Sequence, residues 1–437
     1  MEIDKTTFTD LAIINGEEFS LFNKLNLCRT VGGKDKLFDN FFTPLKTIEA
    51  IEGIQQTIKI IQQNLSLWPL QISNGSLLMI EKFYQANIDE IPAKPTVVNA
   101  YGYKYFHRPD FSLVEYSVGH AFDFIKGIQT LINIFMKDDC PLPLQKKLLV
   151  AGQLIDKVPL AIIKQTEKVS SLNLVQKLQL GRFLRNHYKH NMEQLLDIYF
   201  QLDAWYGMAL AVNQYGLVFP EFLSGNNPLL KVNGLYHLLL QNPVAYDITL
   251  DPSSNFIFLT GANMAGKSTF IKAVGAAVFL AHIGMGVPAN SLQLTLFNGI
   301  LSNINVVDNI GKGESYFYNE VQRIKSTVTK ISDGKKWLVL IDELFKGTNV
   351  EDAMKCSSTV IEGLVKIKNS LFILSTHLYE IGEGLKKYPT ISFNYFETAV
   401  ENDQLLFSYQ LKEGISHDRL GYLILKNEGV VDMLKKL

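Results

Sequence analysis

The sequence predicts an α/β domain with a mostly parallel sheet in its second half, preceded by an all-α domain. Three observations predict it. Apolar residues recur at helical steps through the first two hundred residues, the texture changes after Tyr215-Gly216, and short apolar runs then alternate with helical patterns. The expected domains are residues 1–220 and 221–437.

A chain of 437 residues is long enough for two domains, and 47% hydrophobic against 19% charged residues describes a chain able to bury large cores. Forty-two basic and forty-three acidic residues leave a net charge of -1, so no whole-chain field attracts a polyanion and a nucleic-acid partner would need a local patch. Cys28, Cys140 and Cys356 are far apart, odd in number and without metal-ligand spacing, which fits a reducing compartment. Met1-Glu2-Ile3-Asp4 lacks the basic flank and apolar core of a signal peptide, and no apolar run reaches the length of a membrane span. The expectation is a cytoplasmic protein with no membrane contact.

In the first half, Thr43-Pro44 is a good helix start, followed by Leu45, Ile48, Ile51, Ile54, Ile58 and Ile61 on one face. A second stripe runs Val114, Val118, Phe122, Ile125, Ile128, Ile132 and Phe135, and further amphipathic segments cover 142–166, 172–188 and 192–213. Stripes of this kind pack cores. The basic cluster Arg182, Arg185, His187, Lys189 and His190 is a candidate phosphate contact, although a solvated helix face is the better reading.

In the second half, Ser224-Gly225-Asn226-Asn227-Pro228 reads as a loop, and Phe256–Thr260, Trp337–Ile341 and Leu371–Ser375 read as strands with helices between them. Continuous apolar strands of this kind belong to parallel sheets covered on both faces. Ile391–Ala399 and Gln404–Leu411 flank Glu401-Asn402-Asp403 and predict a β-hairpin.

The first strand leads into Gly261-Ala262-Asn263-Met264-Ala265-Gly266-Lys267-Ser268, then the helical Thr269-Phe270-Ile271. This is the P-loop spacing GxxxxGK[ST] in its strand–loop–helix setting. The glycines let backbone N–H groups converge on phosphates, and the following helix adds its positive end. Lys267 is the expected partner of the β and γ phosphates of ATP, and Ser268 of Mg²⁺. The strand Trp337–Ile341 ends in Asp342-Glu343. Two carboxylates at the mouth of a buried strand are costly without a cation or a proton-transfer role, so Asp342 is the expected second Mg²⁺ ligand and Glu343 the expected base or orienter for an attacking water. His377, at the end of the third strand, is placed to sense the γ phosphate or position water.

Together these motifs resemble the MutS family of ATPases, relatives of the ABC transporters. Thr260–Thr269 is close to the family's TGPNMxGKST, and Ala281–Gly284 with Val287-Pro288-Ala289 is similar to its Ax.G..VPA stretch. LVLIDELFKGT at Leu338–Thr348 resembles LVLIDELGRGT, and Ser375–Glu380 resembles ATHYxEL. The likeness continues through Leu411–Gly421, so it covers about 210 residues. More faintly, Leu25–Thr30, Gly32-Gly33, Leu37, Phe42 and Pro44-Leu45 echo the pattern that opens the family's helical lever core. Ala262 stands in place of the P-loop proline, and Phe345-Lys346 in place of Gly-Arg, departures that bear on how subunits communicate rather than on phosphate chemistry.

The resemblance implies an ABC-type ATPase domain that dimerises through composite ATP sites. Gly313–Glu320 is similar to the family's GxSTFxxE segment, whose serine, here Ser315, reaches the γ phosphate bound by a partner subunit. The loop after Glu343 would couple the two sites. The family's adenine-stacking aromatic precedes the first strand of the domain, where Tyr246 is the candidate. The implied role is on mismatched, branched or distorted DNA in repair or recombination, with repair proteins as partners. No leading segment carries the family's Phe-x-Glu mismatch-reading motif, and a separate clamp domain has little room. The competing expectation is a nucleotide-gated scaffold for proteins without DNA contact; a P-loop small-molecule kinase leaves Ser315 without a job.

Overall fold

Capping residues decide where several helices begin. In the computed structural model, which describes residues 1–14, 19–304, 316–401, 404–416 and 425–434, the chain opens with β1 (Glu2–Ile3), α1 (Lys5–Asp10) and α2 (Leu21–Leu25). Next come α3 (Val31–Phe42), α4 (Ile48–Gln63), α5 (Asn74–Gln85), α6 (Val97–Phe106), α7 (Arg108–Phe135), α8 (Leu142–Ile155), α9 (Ala161–Gln165), α10 (Leu174–His187) and α11 (Lys189–Tyr215). Ser73, Thr96 and Asn173 each begin a helix with a reciprocal capping box, satisfying two otherwise orphaned backbone donors. The segment expected to run unbroken over 142–166 is split, because Pro159 lacks the N–H that a continuous helix needs. The helix expected from Pro44 begins at Ile48.

The second half adds β2 (Glu221–Leu223), β3 (Leu230–Leu235), β4 (Tyr246–Leu250), β5 (Phe256–Thr260), α12 (Lys267–His282), β6 (Ser291–Thr295), β7 (Gly299–Asn303), α13 (Tyr316–Ile331), β8 (Trp337–Asp342), α14 (Val350–Leu364), β9 (Ser370–Ser375), α15 (Glu380–Leu385), β10 (Ile391–Glu401) and β11 (Gln404–Glu413). The chain divides into two compact units: one of Leu25–Thr43 and Glu52–Gln214, the other of Met1–Lys24, Pro44–Ile51 and Tyr215–Leu437.

The first unit is helical. Its core gathers the stripe of α7, with Val114, Val118, Phe122, Ile125 and Ile128 all nearly inaccessible, and the buried face of α11, where Tyr206 stacks on Trp68 at 4.2 Å between ring centroids. A carboxylate sits inside this core: Asp203, fully buried, accepts from the backbone N–H groups of Arg29 (3.1 Å) and Thr30 (2.8 Å) and from the Thr30 hydroxyl (2.6 Å). Burial raises its pKa, and the Thr30 and Arg29 donors oppose that rise. It ties α11 to the start of α3, which Thr30 caps.

The second unit is α/β. Among the described residues its main sheet has the order β1-β7-β8-β9-β5-β10-β11, parallel throughout except for the β10–β11 hairpin at one edge. A smaller sheet has the order β2-β6-β3-β4 and is mixed. Every residue of β5, β8 and β9 is buried, the mark of strands covered on both faces. β1 and α1 pack with this sheet: β1 pairs with β7, and Asp10 accepts from the Ser302 hydroxyl and from the N–H of Ile304 (3.1 Å). Register brings the carboxyl ends of three central strands level, since Leu259 and Asp342 both pair with Ser375. Thr260-Gly261, Asp342-Glu343 and Thr376-His377 therefore leave the sheet at one edge, where open parallel sheets gather ligands.

Candidate nucleotide site

Backbone conformation shapes the loop between β5 and α12. Gly261 takes φ +136° with a virtual Cβ 3.2 Å from the Phe396 carbonyl oxygen, and Gly266 takes φ +107° at the N-cap of α12. Side chains at either position would be strained, which is why glycine stands at both. Met264 also has positive φ, +66°, and is 71% exposed. α12 runs for sixteen residues and presents the unpaired N–H groups of its first turn to the loop, an anion-binding arrangement. Lys267 is only 6% exposed; its Nζ donates to the carbonyl oxygens of Gly261 (2.7 Å) and Ala262 (2.9 Å). Burial lowers its pKa, and the charges of Glu343 and Asp342 hold it up. The ammonium is thus held by the loop's own carbonyl oxygens, partners that a bound phosphate would replace with a stronger, charged acceptor.

The acidic pair leaves β8 in two directions. Asp342 is buried, and the Ser375 hydroxyl donates to its Oδ1. Glu343 has φ +64°, its N–H donates to the Ser375 carbonyl (3.0 Å), and its side chain turns back to pair with His377 Nε2 through Oε1 and with Lys346 Nζ (3.2 Å) through Oε2. Burial pushes the Glu343 carboxyl upward, but the hydrogen bond and charge of His377, with Lys346, outweigh it and bring the pKa down to about 2. Glu343 is therefore a carboxylate throughout the neutral range, held by two basic side chains.

A cavity of about 450 Å³ lies over the loop. Ala262, Asn263, Met264, Gly266, Lys267, Ser268 and Thr269 line it together with Glu343, and Leu240, Asn242, Val244, Tyr246 and Tyr409 complete the lining. Gly261, Ala265, Asp342 and His377 do not line it: Ala265 is packed under the loop at 1% exposure, and His377 meets the site through Glu343. Tyr246 is wedged edge-on against Phe270 (5.3 Å) and Phe396 (5.6 Å), with 6% of its surface open. Tyr409 was not anticipated. It stands on β11 with φ +53°, is 41% exposed, and places its ring 3.4 Å from a virtual Cβ on Gly266. The alternation Phe407-x-Tyr409 was the available signal, but only the hairpin register places it over the loop. Ser315 lies outside the described residues.

The donor set suits a magnesium nucleotide. A loop of amides, a lysine and a helix start would meet the phosphates, and the Ser268 hydroxyl and the Asp342 carboxylate are hard oxygen donors of the kind magnesium takes. The apolar and aromatic side chains in the same lining have the character of a base site.

Two members of the basic cluster, Arg182 and Arg185 on α10, are a correction. Arg185 donates to the carbonyls of Phe83 and Ala86 (2.6 Å to the latter), and Arg182 to Ile91 (2.7 Å) and Glu90 (3.1 Å). The two guanidinium groups hold the last turn of α5 and the segment after it in place and are committed inside the helical unit, so they are not spare phosphate contacts.

A pH prediction arises from the Glu343–His377 pair. Because the folded pKa is depressed, the charged form of Glu343 persists until pH falls through about 2. In His377→Ala the largest opponent of burial is gone, only the Lys346 and Lys267 charges remain to oppose it, and the carboxyl rises from that low value. A pH profile of any hydrolytic turnover should gain an acid limb in that variant, whereas the parental profile should show none belonging to Glu343. Superimposable profiles would contradict the assignment.

Comparison with known proteins agrees with this geometry. Residues 257–433 match the family profile of MutS domain V. The chain is 30% identical over 231 residues to a DNA mismatch repair protein MutS of Pseudothermotoga lettingae, covering 52% of this chain and 28% of that protein. It is 29% identical over 251 residues to the MutS of Thermotoga maritima (56% and 31%), and 28% identical over 264 residues to that of Staphylococcus haemolyticus (58% and 29%). The matched region spans less than a third of the length of each relative. Among the described residues, no helix is long and apolar enough to cross a membrane.

Proposed function

The second half of the chain is MutS-like, and from that premise we propose that it binds Mg²⁺–ATP in the cavity over Gly261–Thr269 and hydrolyses it, dimerising through composite sites and acting on DNA in mismatch repair or a related process. The observation that carries the proposal is that Lys267 and Glu343, a phosphate ligand and a hydrolytic carboxylate by chemistry, line the same cavity.

In this reading the amides of 262–268 and the Lys267 ammonium grip the β and γ phosphates. Ser268 and Asp342 would hold Mg²⁺, which when bound neutralises charge building on the phosphate oxygens. Glu343 aligns water for attack on the γ phosphorus, and His377 fixes the orientation of that carboxylate. Tyr246, with Tyr409, bounds the adenine end. Ser315 is assigned to the γ phosphate held by a partner copy, which makes the competent enzyme a homodimer. ATP binding closes the dimer, hydrolysis releases it, and the helical unit acts as a lever. The domain assignment proposed is a helical lever within 1–220 and an ATPase domain over 221–437, working in the cytoplasm, with Met1–Lys24 and Pro44–Ile51 belonging to the compact unit of the ATPase domain.

A second reading has an observation of its own. On α6, Val97, Val98, Tyr101, Tyr105 and Phe106 are 58–85% exposed, an apolar face more typical of protein partners than of solvent. With Arg182 and Arg185 committed elsewhere, a nucleotide-gated scaffold without DNA contact is the alternative. Binding to duplex, mismatched and branched DNA, measured across a salt series with and without ATP, separates the two. DNA action predicts nucleotide-dependent affinity that falls steeply as salt rises; absence of binding to every DNA at low salt would favour the scaffold.

A further inference from the structure

The loop after Glu343 is anchored from a second element, and we infer that Glu320 is a positioning residue for the hydrolytic carboxylate; the inference rests on the ATP-hydrolysing reading above. Glu320 lies on α13 and is 2% exposed. Its two carboxylate oxygens accept from the backbone N–H groups of Lys346 (3.2 Å) and Gly347 (3.3 Å). One turn earlier on the same helix, Phe317 packs its ring 5.7 Å from that of Phe345. α13 is itself fixed: Arg323 donates to both oxygens of Asp4 (2.7 and 3.3 Å) and to the Ser302 carbonyl (2.6 Å) at the end of β7. A strut tied at Arg323 thus grips the loop at Glu320.

The loop needs such a grip. Glu343 and Phe345 both hold positive φ, +64° and +59°, without being glycine. Residues kept in that region persist only where their surroundings over-determine them. Leu344 and Phe345 are buried in the sheet's core on one side, and Glu320 holds the next two amides on the other. The contacts then run in series to the site. Glu320 fixes the backbone of Lys346, the Lys346 ammonium pairs with Glu343 Oε2, and the left-handed turn at Glu343 sends its side chain into the cavity. None of these contacts involves Gly261–Thr269. Without Glu320 the loop relaxes toward ordinary dihedral angles and Glu343 loses its aim, while the phosphate grip remains.

The consequence is a split between binding and turnover. In Glu320→Ala, Mg²⁺–ATP affinity by calorimetry should stay within about threefold of the parent, while the rate of phosphate release falls about tenfold or more. Deuterium exchange of peptides covering 343–349 should speed by about tenfold at the freed amides. Glu320→Gln keeps one accepting oxygen and should fall between the two, a partial rescue that also guards against a misfolded alanine variant. Faster exchange with parental turnover would overturn the positioning role. So would affinity and turnover falling together in both variants, which marks general destabilisation. A parental chain that binds nucleotide yet releases no phosphate would instead bring down the hydrolytic reading, and the positioning role with it.

Discussion

Glu343→Gln should abolish steady-state ATP hydrolysis, by about 10²–10⁴-fold, while leaving nucleotide affinity close to that of the parent. The amide occupies the volume of the carboxylate but cannot draw a proton from water, so only the step that needs a base is lost. It also gives up the charge that His377 Nε2 and Lys346 Nζ now hold between them. With hydrolysis blocked and the phosphate grip intact, the variant should accumulate in its ATP-bound state, and light scattering or sedimentation should find more dimer with ATP than the parent shows. Turnover at the parental rate would mean that another group readies the water.

Lys267→Ala should fail at the earlier step. The ammonium supplies the charge within the loop, and removing it should weaken Mg²⁺–ATP binding by about 2–3 kcal/mol, or ~30–150-fold in Kd. Loss of turnover then follows from loss of occupancy, and raising nucleotide concentration should recover part of it. Two folded-state effects accompany the change: the carbonyls of Gly261 and Ala262 lose their donor, and the acidic pair Asp342 and Glu343 loses a nearby cation. Calorimetry on the two variants side by side distinguishes the roles, since one keeps binding without turnover and the other loses binding first.

The parts of this site that could be read directly are those in which neighbouring residues in the chain do the work. Gly261–Ser268 announces itself because one contiguous loop must both curl and carry the lysine, and Asp342-Glu343 because an apolar strand ends abruptly in charge. The central strands were legible from unbroken apolar runs, and α7 from a stripe of one period. What escaped depends on contacts between distant segments. Tyr409 reaches the cavity only through the pairing of β10 with β11, and Glu320 finds Lys346 and Gly347 only once α13 is docked. β1 is too short for any period to appear, yet it extends the sheet beside β7. α6 hid for the opposite reason, because its apolar residues face outward as well as inward and blur the amphipathic pattern. Arg182 and Arg185 looked like a charged surface because their carbonyl partners, near residues 83–91, lie about a hundred positions away.

The most direct test of the account is a calorimetric titration of the parental chain with ATP in the presence and absence of Mg²⁺. The prediction is a saturable site, one per chain, that needs Lys267 and tightens with the metal. No heat of binding at millimolar nucleotide, with the chain shown to be folded, would contradict it.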